Sequence, residues 1–201
     1  GLLVIGDVKR GDLSTTAEAY AQAHLAPGGD VEVDAITIAP YLGADSLAPF
    51  VTAAVASGKG LYVLVRTSNP GAKDLQDLTT DAGPVFERMA SLVRAWGAPH
   101  RGASGFSLVG AVVGATWPAE SRRLRALLPD APFLVPGYGA QGASAQDVVA
   151  AFAPGGRGAV VNASRSVTFP SLQSPDAPWR DAVEAAARAA KEELHAAVHA
   201  S

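Results

Sequence analysis

At 201 residues, 48% hydrophobic and 17% charged, the chain has an ordinary globular composition, not a disordered one, and can bury one substantial core. The net charge of −3 and the scattered lysines and arginines argue against a nucleic-acid binder that works through a basic field. Cysteine is absent, which excludes disulfides and thiolate metal or redox chemistry while saying little about compartment.

No apolar run approaches the roughly 20 residues needed to span a bilayer. Gly1 to Ile5 is apolar, but Asp7, Lys9 and Arg10 follow at once, unlike a signal peptide. The expectation is a soluble cytoplasmic protein with residues 1–201 in a single domain and no membrane or nucleic-acid partner.

In chain order, short apolar runs alternate with helical patterns. The runs are Leu2–Ile5, Ala35–Ile38, Leu61–Val65, Leu108–Val113, Phe133–Val135 and Ala159–Val161. Each is continuous rather than alternating, which suits strands buried on both faces, as in a parallel sheet. Helices are expected near Ser14–Leu25, Ser46–Ala56, Asp81–Trp96, Ala119–Leu128, Ser144–Phe152 and Pro178–His199. Ser14, Thr15 or Thr16 would cap the first, with Glu18 in its opening turns. Such alternation means an α/β fold. The loops after the strands hold the polar residues, as on the active face of a (β/α) barrel. Six strands are two short of a closed barrel, so strand count alone also admits a flavodoxin-like open sheet.

The first loop carries Asp7, Lys9 and Asp12. Asp7 and Lys9 are two apart, so in extended backbone they point the same way. Asp12 follows a turn that Gly11 permits. A lysine between two carboxylates keeps its proton, which suits a general acid better than a Schiff-base nucleophile. A surface charge cluster at a strand end is the plain alternative.

Gly137-Tyr138-Gly139-Ala140-Gln141-Gly142 fits the G-x-G-x-x-G pattern between a strand and a helix. The next strand, however, ends in Asn162-Ala163-Ser164-Arg165, without the acidic residue that would hold a ribose diol. A loop offering backbone N–H groups to one phosphate is the favoured reading; a dinucleotide loop or a plain turn are the others. Arg165 lies one loop away and has the fork that matches phosphate. In barrels, phosphate sites are built from the loops after strands 7 and 8. On that count the chain supplies about six βα units, strands 3–8 of a (β/α)8 TIM barrel, which agrees with its abrupt start at Gly1. His195 and His199, four apart, read as an exposed helix face, since two residues lack a third metal ligand. His24 and His100 fall outside every motif, and Trp96, Trp117 and Trp179 read as packing residues.

Together these motifs resemble the orotidine 5′-phosphate decarboxylase family, and most closely its bacterial subgroup with Lys-Arg-Gly-Asp in the catalytic motif. The resemblance runs from Leu2 to about Val167. It rests on Asp7, Lys9 and Asp12 as D-x-K-x-x-D, with Pro40-Tyr41-Leu42-Gly43, Thr67-Ser68-Asn69-Pro70-Gly71, the 136–142 loop beginning at Pro136, and Ser164-Arg165-Ser166. It implies conversion of orotidine 5′-phosphate to uridine 5′-phosphate and CO2 in pyrimidine synthesis, without metal or cofactor. By resemblance, Asp7 crowds the substrate carboxylate and Lys9 protonates the carbon that loses CO2. Asp12 and Thr16 reach the partner's site in a homodimer. Ser68 binds the pyrimidine, Gln141 bridges pyrimidine and phosphate, and Arg165 binds the phosphate, with Pro136 and Ser164 among the substrate-binding positions. An ammonium beside a ring carbanion stabilises the transition state more than the ground state.

The family also has a lysine on strand 2, completing a Lys-Asp-Lys-Asp array, and a ribose-binding aspartate on strand 1; neither has a counterpart here. Lys59, Lys73 and Lys191 do not stand in the right places to substitute. The sequence is therefore expected to be the C-terminal portion of the enzyme, inactive or poorly folded alone. The rivals are a magnesium-dependent hexulose-phosphate synthase or keto-gulonate-phosphate decarboxylase of the same barrel group, and a non-catalytic barrel fragment acting as a binding or oligomerisation module.

Overall fold

The computed structural model describes residues 1–170 and 178–200. The chain runs β1 (Ile5–Arg10), α1 (Ser14–Leu25), β2 (Ala35–Ile38), α2 (Ala44–Ser57) and β3 (Gly60–Arg66). A short helix α3 (Lys73–Gln76), a hairpin of β4 (Thr79–Thr80) and β5 (Gly83–Pro84), and α4 (Val85–Gly97) follow. Then come β6 (Val109–Val113), α5 (Pro118–Leu127), β7 (Phe133–Val135), α6 (Ala145–Val148), β8 (Ala159–Val161), α7 (Arg165–Thr168) and α8 (Trp179–His199).

The main sheet has six strands in the order β1-β2-β3-β6-β7-β8, every pair parallel. That order decides between the two architectures left open by strand count. A flavodoxin-like sheet reverses its winding at a switch point; here successive strands of the sheet always lie side by side, as in a barrel wall.

The two faces of the sheet confirm one-sided winding. Leu61, Val63 and Val65 of β3, Val109, Ala111 and Val113 of β6, and Phe133 and Val135 of β7 join one large core with Leu25, Phe50, Val93 and Leu124 of the helices. Their alternates, Tyr62, Val112 and Leu134, form a second, smaller cluster with Ala35, packed by Ile5 and Leu64. Period-two alternation thus sends one set outward to the helices and the other inward. The strands look continuously apolar in sequence because both faces are covered.

Several expected boundaries move. The first strand is Ile5–Arg10 rather than Leu2–Ile5, and Leu2 and Leu3 are 95% and 84% exposed. Pairing with β2 begins at Ile5↔Ala35, and no described strand lies on the other side of β1, so the apolar run before it finds nothing to pack on. None of Ser14, Thr15 or Thr16 caps α1: Leu13 is the N-cap residue, with no side-chain bond, and the Asp12 carboxylate accepts from the Leu13 N–H. The helix expected from Asp81 starts at Val85, because the β4–β5 hairpin takes up 79–84. The helix expected over Ser144–Phe152 shortens to α6 and a 3₁₀ turn, opened by a capping box in which Ser144 and Asp147 satisfy each other's N–H groups. That bonding holds the Asp147 carboxyl below its ordinary range.

Candidate active site

The inward residues of β1, β3, β6, β7 and β8 and the loops after them line a cavity of about 650 Å3. Its apolar floor is Ile5, Leu64, Val112 and Leu134, and its polar rim includes Asp7, Lys9, Ser68, Gln141 and Ser164, with Pro136 beside them. A floor that cannot hydrogen-bond, under a ring of polar groups, is the usual make-up of a small-molecule site.

Asp7 and Lys9 reach this cavity by the period-two logic of β1. The Lys9 ammonium lies 2.6 Å from Asp7 Oδ2. Thr37 of β2 ties the pair to the sheet: its hydroxyl donates to Asp7 Oδ1 at 2.9 Å and accepts from the Lys9 N–H at 2.9 Å. Lys9 itself has φ of 45°, in the left-handed region, where the β1–β2 register also shifts. A non-glycine residue there costs on the order of 1–2 kcal/mol. The Thr37 bond replaces the ladder bond that the shift removes. Thr37 is fully buried. Its one sequence signal was a lone hydroxyl in the run Ala35-Ile36-Thr37-Ile38.

Asp12 and Thr16 stand apart. Asp12 is half-buried and Thr16 exposed at the start of α1; neither lines the cavity, and among the described residues Lys9 has only Asp7 within ion-pair distance.

The loop after β3 is held from several sides. The Gln76 side chain donates to Thr67 Oγ1 at 2.9 Å and accepts from the Thr67 N–H at 3.0 Å. Trp117 Nε1 donates to the Thr67 carbonyl at 2.8 Å, and the Thr116 hydroxyl donates to the Ser68 carbonyl at 2.9 Å. Gly114 is required here, since a Cβ on it would meet the Ser68 Cα at 2.7 Å. Ser68 is therefore fixed in place by its neighbours on both sides. Trp117, which reads as packing in the sequence, thus also holds this loop. Arg66, one past the expected strand Leu61–Val65, is the last residue of β3 and is completely buried. Its guanidinium lies 4.2 Å from the centre of the Trp117 ring and 2.7 Å from Asp77.

The Gly-rich loop has φ of 104° at Gly137, 72° at Gly139 and 94° at Gly142. These are conformations that glycine alone adopts readily. The turn closes through Gly142 N–H to the Gly139 carbonyl at 2.8 Å and presents Gln141 to the cavity. Tyr138 anchors the loop to α8, its hydroxyl donating to Glu193 at 2.7 Å. Burial first, and then the Glu193 carboxylate, push the Tyr138 hydroxyl up to about 12.

Arg165 opens α7 and, with Gln141, Ser68 and Asn69, lines a second cavity of about 510 Å3 beside the first. His195 and His199 face each other on α8 with ring centres 4.1 Å apart. Among the described residues, no group of three or more His, Asp or Glu side chains is placed to hold a metal. No helix among them is long and apolar enough to cross a membrane.

A profile described as the orotidine 5′-phosphate decarboxylase / HUMPS family matches residues 1–174. Orotidine 5′-phosphate decarboxylase of Rhodopirellula baltica is 45% identical over 207 residues, covering 96% of this chain and 68% of that protein. The enzyme of the same name from Deinococcus radiodurans is 48% identical over 170 residues, covering 84% of this chain and 60% of the relative. That from Clostridium perfringens is 44% identical over 166 residues, covering 82% and 57%. Among solved structures, Leishmania donovani OMP decarboxylase superposes with a TM-score of 0.74 at 33% identity, covering 96% of this chain and 69% of that one. Leishmania donovani UMP synthase gives 0.77 at 36% identity, covering 98% and 40%. The chain thus spans 57% to 68% of the length of these three curated relatives.

Proposed function

The chain belongs to the orotidine 5′-phosphate decarboxylase / HUMPS family, and on that footing we propose that it decarboxylates orotidine 5′-phosphate to uridine 5′-phosphate and CO2 in pyrimidine synthesis. The observation that carries this reading is the Asp7–Lys9 pair at 2.6 Å on the rim of the cavity that also holds Ser68 and Gln141.

The chemistry follows from the charges. Breaking the C–C bond leaves an electron pair on the ring carbon as CO2 departs. The Lys9 ammonium is attracted to that charge as it develops, and it then transfers its proton to the carbon. Asp7 beside it holds the ammonium in place at 2.6 Å and opposes a second carboxylate at the same place. Ser68 takes the pyrimidine edge and Gln141 spans from ring to phosphate. Arg165 takes the phosphate, with Ser164 and Pro136 completing the wall. No step requires a metal ion, in contrast to the hexulose-phosphate branch of the family.

Finer features belong to the same proposal. The chain falls in the Lys-Arg-Gly-Asp subgroup, acts in the cytoplasm, and forms a homodimer in which Asp12 and Thr16 serve the partner's site; their position outside the cavity on their own chain supports this. The sheet supplies six of eight barrel strands. The outer edges of β1 and β8 carry no described partner, and Val160 on β8, in the wall of the central cavity, is 45% exposed. Two further strand–helix units would close it and bring the second lysine of the array.

The test is a decarboxylation assay on the 201-residue chain, alone and mixed with a relative's first two strand–helix units. Activity is expected only in the mixture, and Lys9→Ala is expected to reduce it by about 10²–10⁴-fold, the worth of a positioned general acid. Full activity in Lys9→Ala would overturn the mechanism, and turnover by the chain alone would overturn the six-strand proposal.

A further inference from the structure

We infer that Lys73 is a second phosphate-binding cation of this site, one that the D-x-K-x-x-D motif and the Gly-rich loop do not include; the inference rests on the decarboxylase reading. The cavity beside the central one is lined by Arg165, Lys73, Gln141, Asn69, Thr116 and Trp117, among others, and by no carboxylate. It shares Ser68, Asn69 and Gln141 with the central cavity, so a ligand seated over Ser68 can extend into it.

Both cations there are unclaimed. Neither Lys73 nor Arg165 forms an ion pair with a described residue, whereas Lys9 is held by Asp7, Lys59 by Glu32 and Arg66 by Asp77. The nearby carboxylates Asp77 and Glu120 face Arg66. Lys73 opens α3 and its ammonium rests 5.0 Å from the centre of the Trp117 ring. That ring is itself fixed by its bond to the Thr67 carbonyl. The indole thus gives the long side chain a resting place at the cavity wall without neutralising it.

A phosphate monoester carries about −1.5 to −2 charges at neutral pH. One arginine leaves roughly half of that uncompensated, and two unpaired cations match it. Lys73 acts as a point charge, while the Arg165 fork supplies direction.

Calorimetric titration of the 201-residue chain, complemented by a relative's first two strand–helix units, with uridine 5′-phosphate and with uridine tests this. Lys73→Gln is expected to weaken uridine 5′-phosphate binding about tenfold, the scale of one charge-assisted contact, and to leave uridine unchanged. Lys73→Arg should keep most of the affinity, and added salt should shrink the Lys73→Gln effect. Because Lys73 is exposed, the variants should unfold at the wild-type temperature. Weaker binding of Arg165→Gln with no change in Lys73→Gln would overturn the inference and leave the decarboxylase reading standing. Equal affinity of the unsubstituted chain for uridine and its 5′-phosphate would overturn both.

Discussion

Two arginines at opposite ends of the sheet, Arg125 partly buried and Arg66 fully buried, are held in opposite ways. Arg125 lies near the N-terminal ends of β7 and β8, and its guanidinium makes five hydrogen bonds to the carbonyls of Leu128, Ala131, Ala151 and Gly158. It also stacks 3.6 Å from the centre of the Phe133 ring, and burial lowers its pKa to about 10. Arg66 ends β3 at the opposite, loop-bearing end, and none of its nitrogens makes an aligned hydrogen bond. Ion pairing to Asp77 and the faces of Trp117 and Phe86 hold it instead. Carbonyl bonds are directional and lock one geometry. Ring faces and ion pairs are softer and allow small shifts, which suits the end that must receive a ligand. This division follows the general plan of barrels, with stability at one face and chemistry at the other.

The largest effect expected of a substitution that tests this contrast is at Arg125. Arg125→Met would leave four carbonyls short of donors, at about 1–3 kcal/mol for each one fully buried. A loss on the order of 3–5 kcal/mol, near the upper limit for single substitutions, is expected in urea unfolding. If Arg125→Met unfolds within 1 kcal/mol of wild type, roughly the mean effect of any substitution, the locked-end description fails.

Arg66→Met should be milder for stability. Asp77 and Glu120 remain partly exposed, so losing their partner does not strand a buried charge, and a loss of about 1–2 kcal/mol is expected. Its larger consequence should be looser binding at Ser68, read as weaker uridine affinity. A stability loss equal to that of Arg125→Met, with uridine binding intact, would erase the distinction between the two ends.

The smallest effect is at Tyr138, where the loop meets α8. Tyr138→Phe removes one hydrogen bond, at about 1 kcal/mol. It also changes the alkaline limb. The folded-state pKa of about 12 lies above the ordinary value of 10.0. The associated stability is therefore complete below pH 10 and declines as pH rises toward 12. Thermal unfolding from pH 9 to 12 should show that decline in the wild type and a shallower one in Tyr138→Phe; parallel curves would rule out the Tyr138–Glu193 bond as its source.

Some of this was legible residue by residue. Ala35–Ile38 and Phe133–Val135 match their strands to the residue, because continuous apolar runs report burial on both faces. The shared direction of Asp7 and Lys9 followed from strand periodicity, and both line one cavity. The expected strand Leu61–Val65 stopped one residue short of Arg66 because local pattern treats any charge at a strand end as solvated. The cover over Arg66 comes from Phe86 and Trp117, 20 or more positions away. Leu2 and Leu3 erred in the other direction, since an apolar run signals a need for burial and not the presence of a partner.

By itself, the sequence determined the alternation of elements, the parallel class and the position of Ser68, Gln141 and Arg165 just past their strands, all of which depend on local periodicity and on backbone preferences of glycine and proline; Asp7 and Lys9, expected in the first loop, lie on β1 itself. Tertiary structure alone decided the strand order, the closing of Thr37 onto Asp7, the separation of Asp12 from Lys9 and the meeting of Lys73 with Arg165 in one cavity. Those depend on which distant strands pair and which way their side chains then face. Pairing is set by the burial of the whole sheet between helices and cavity, a quantity that no window of the sequence contains.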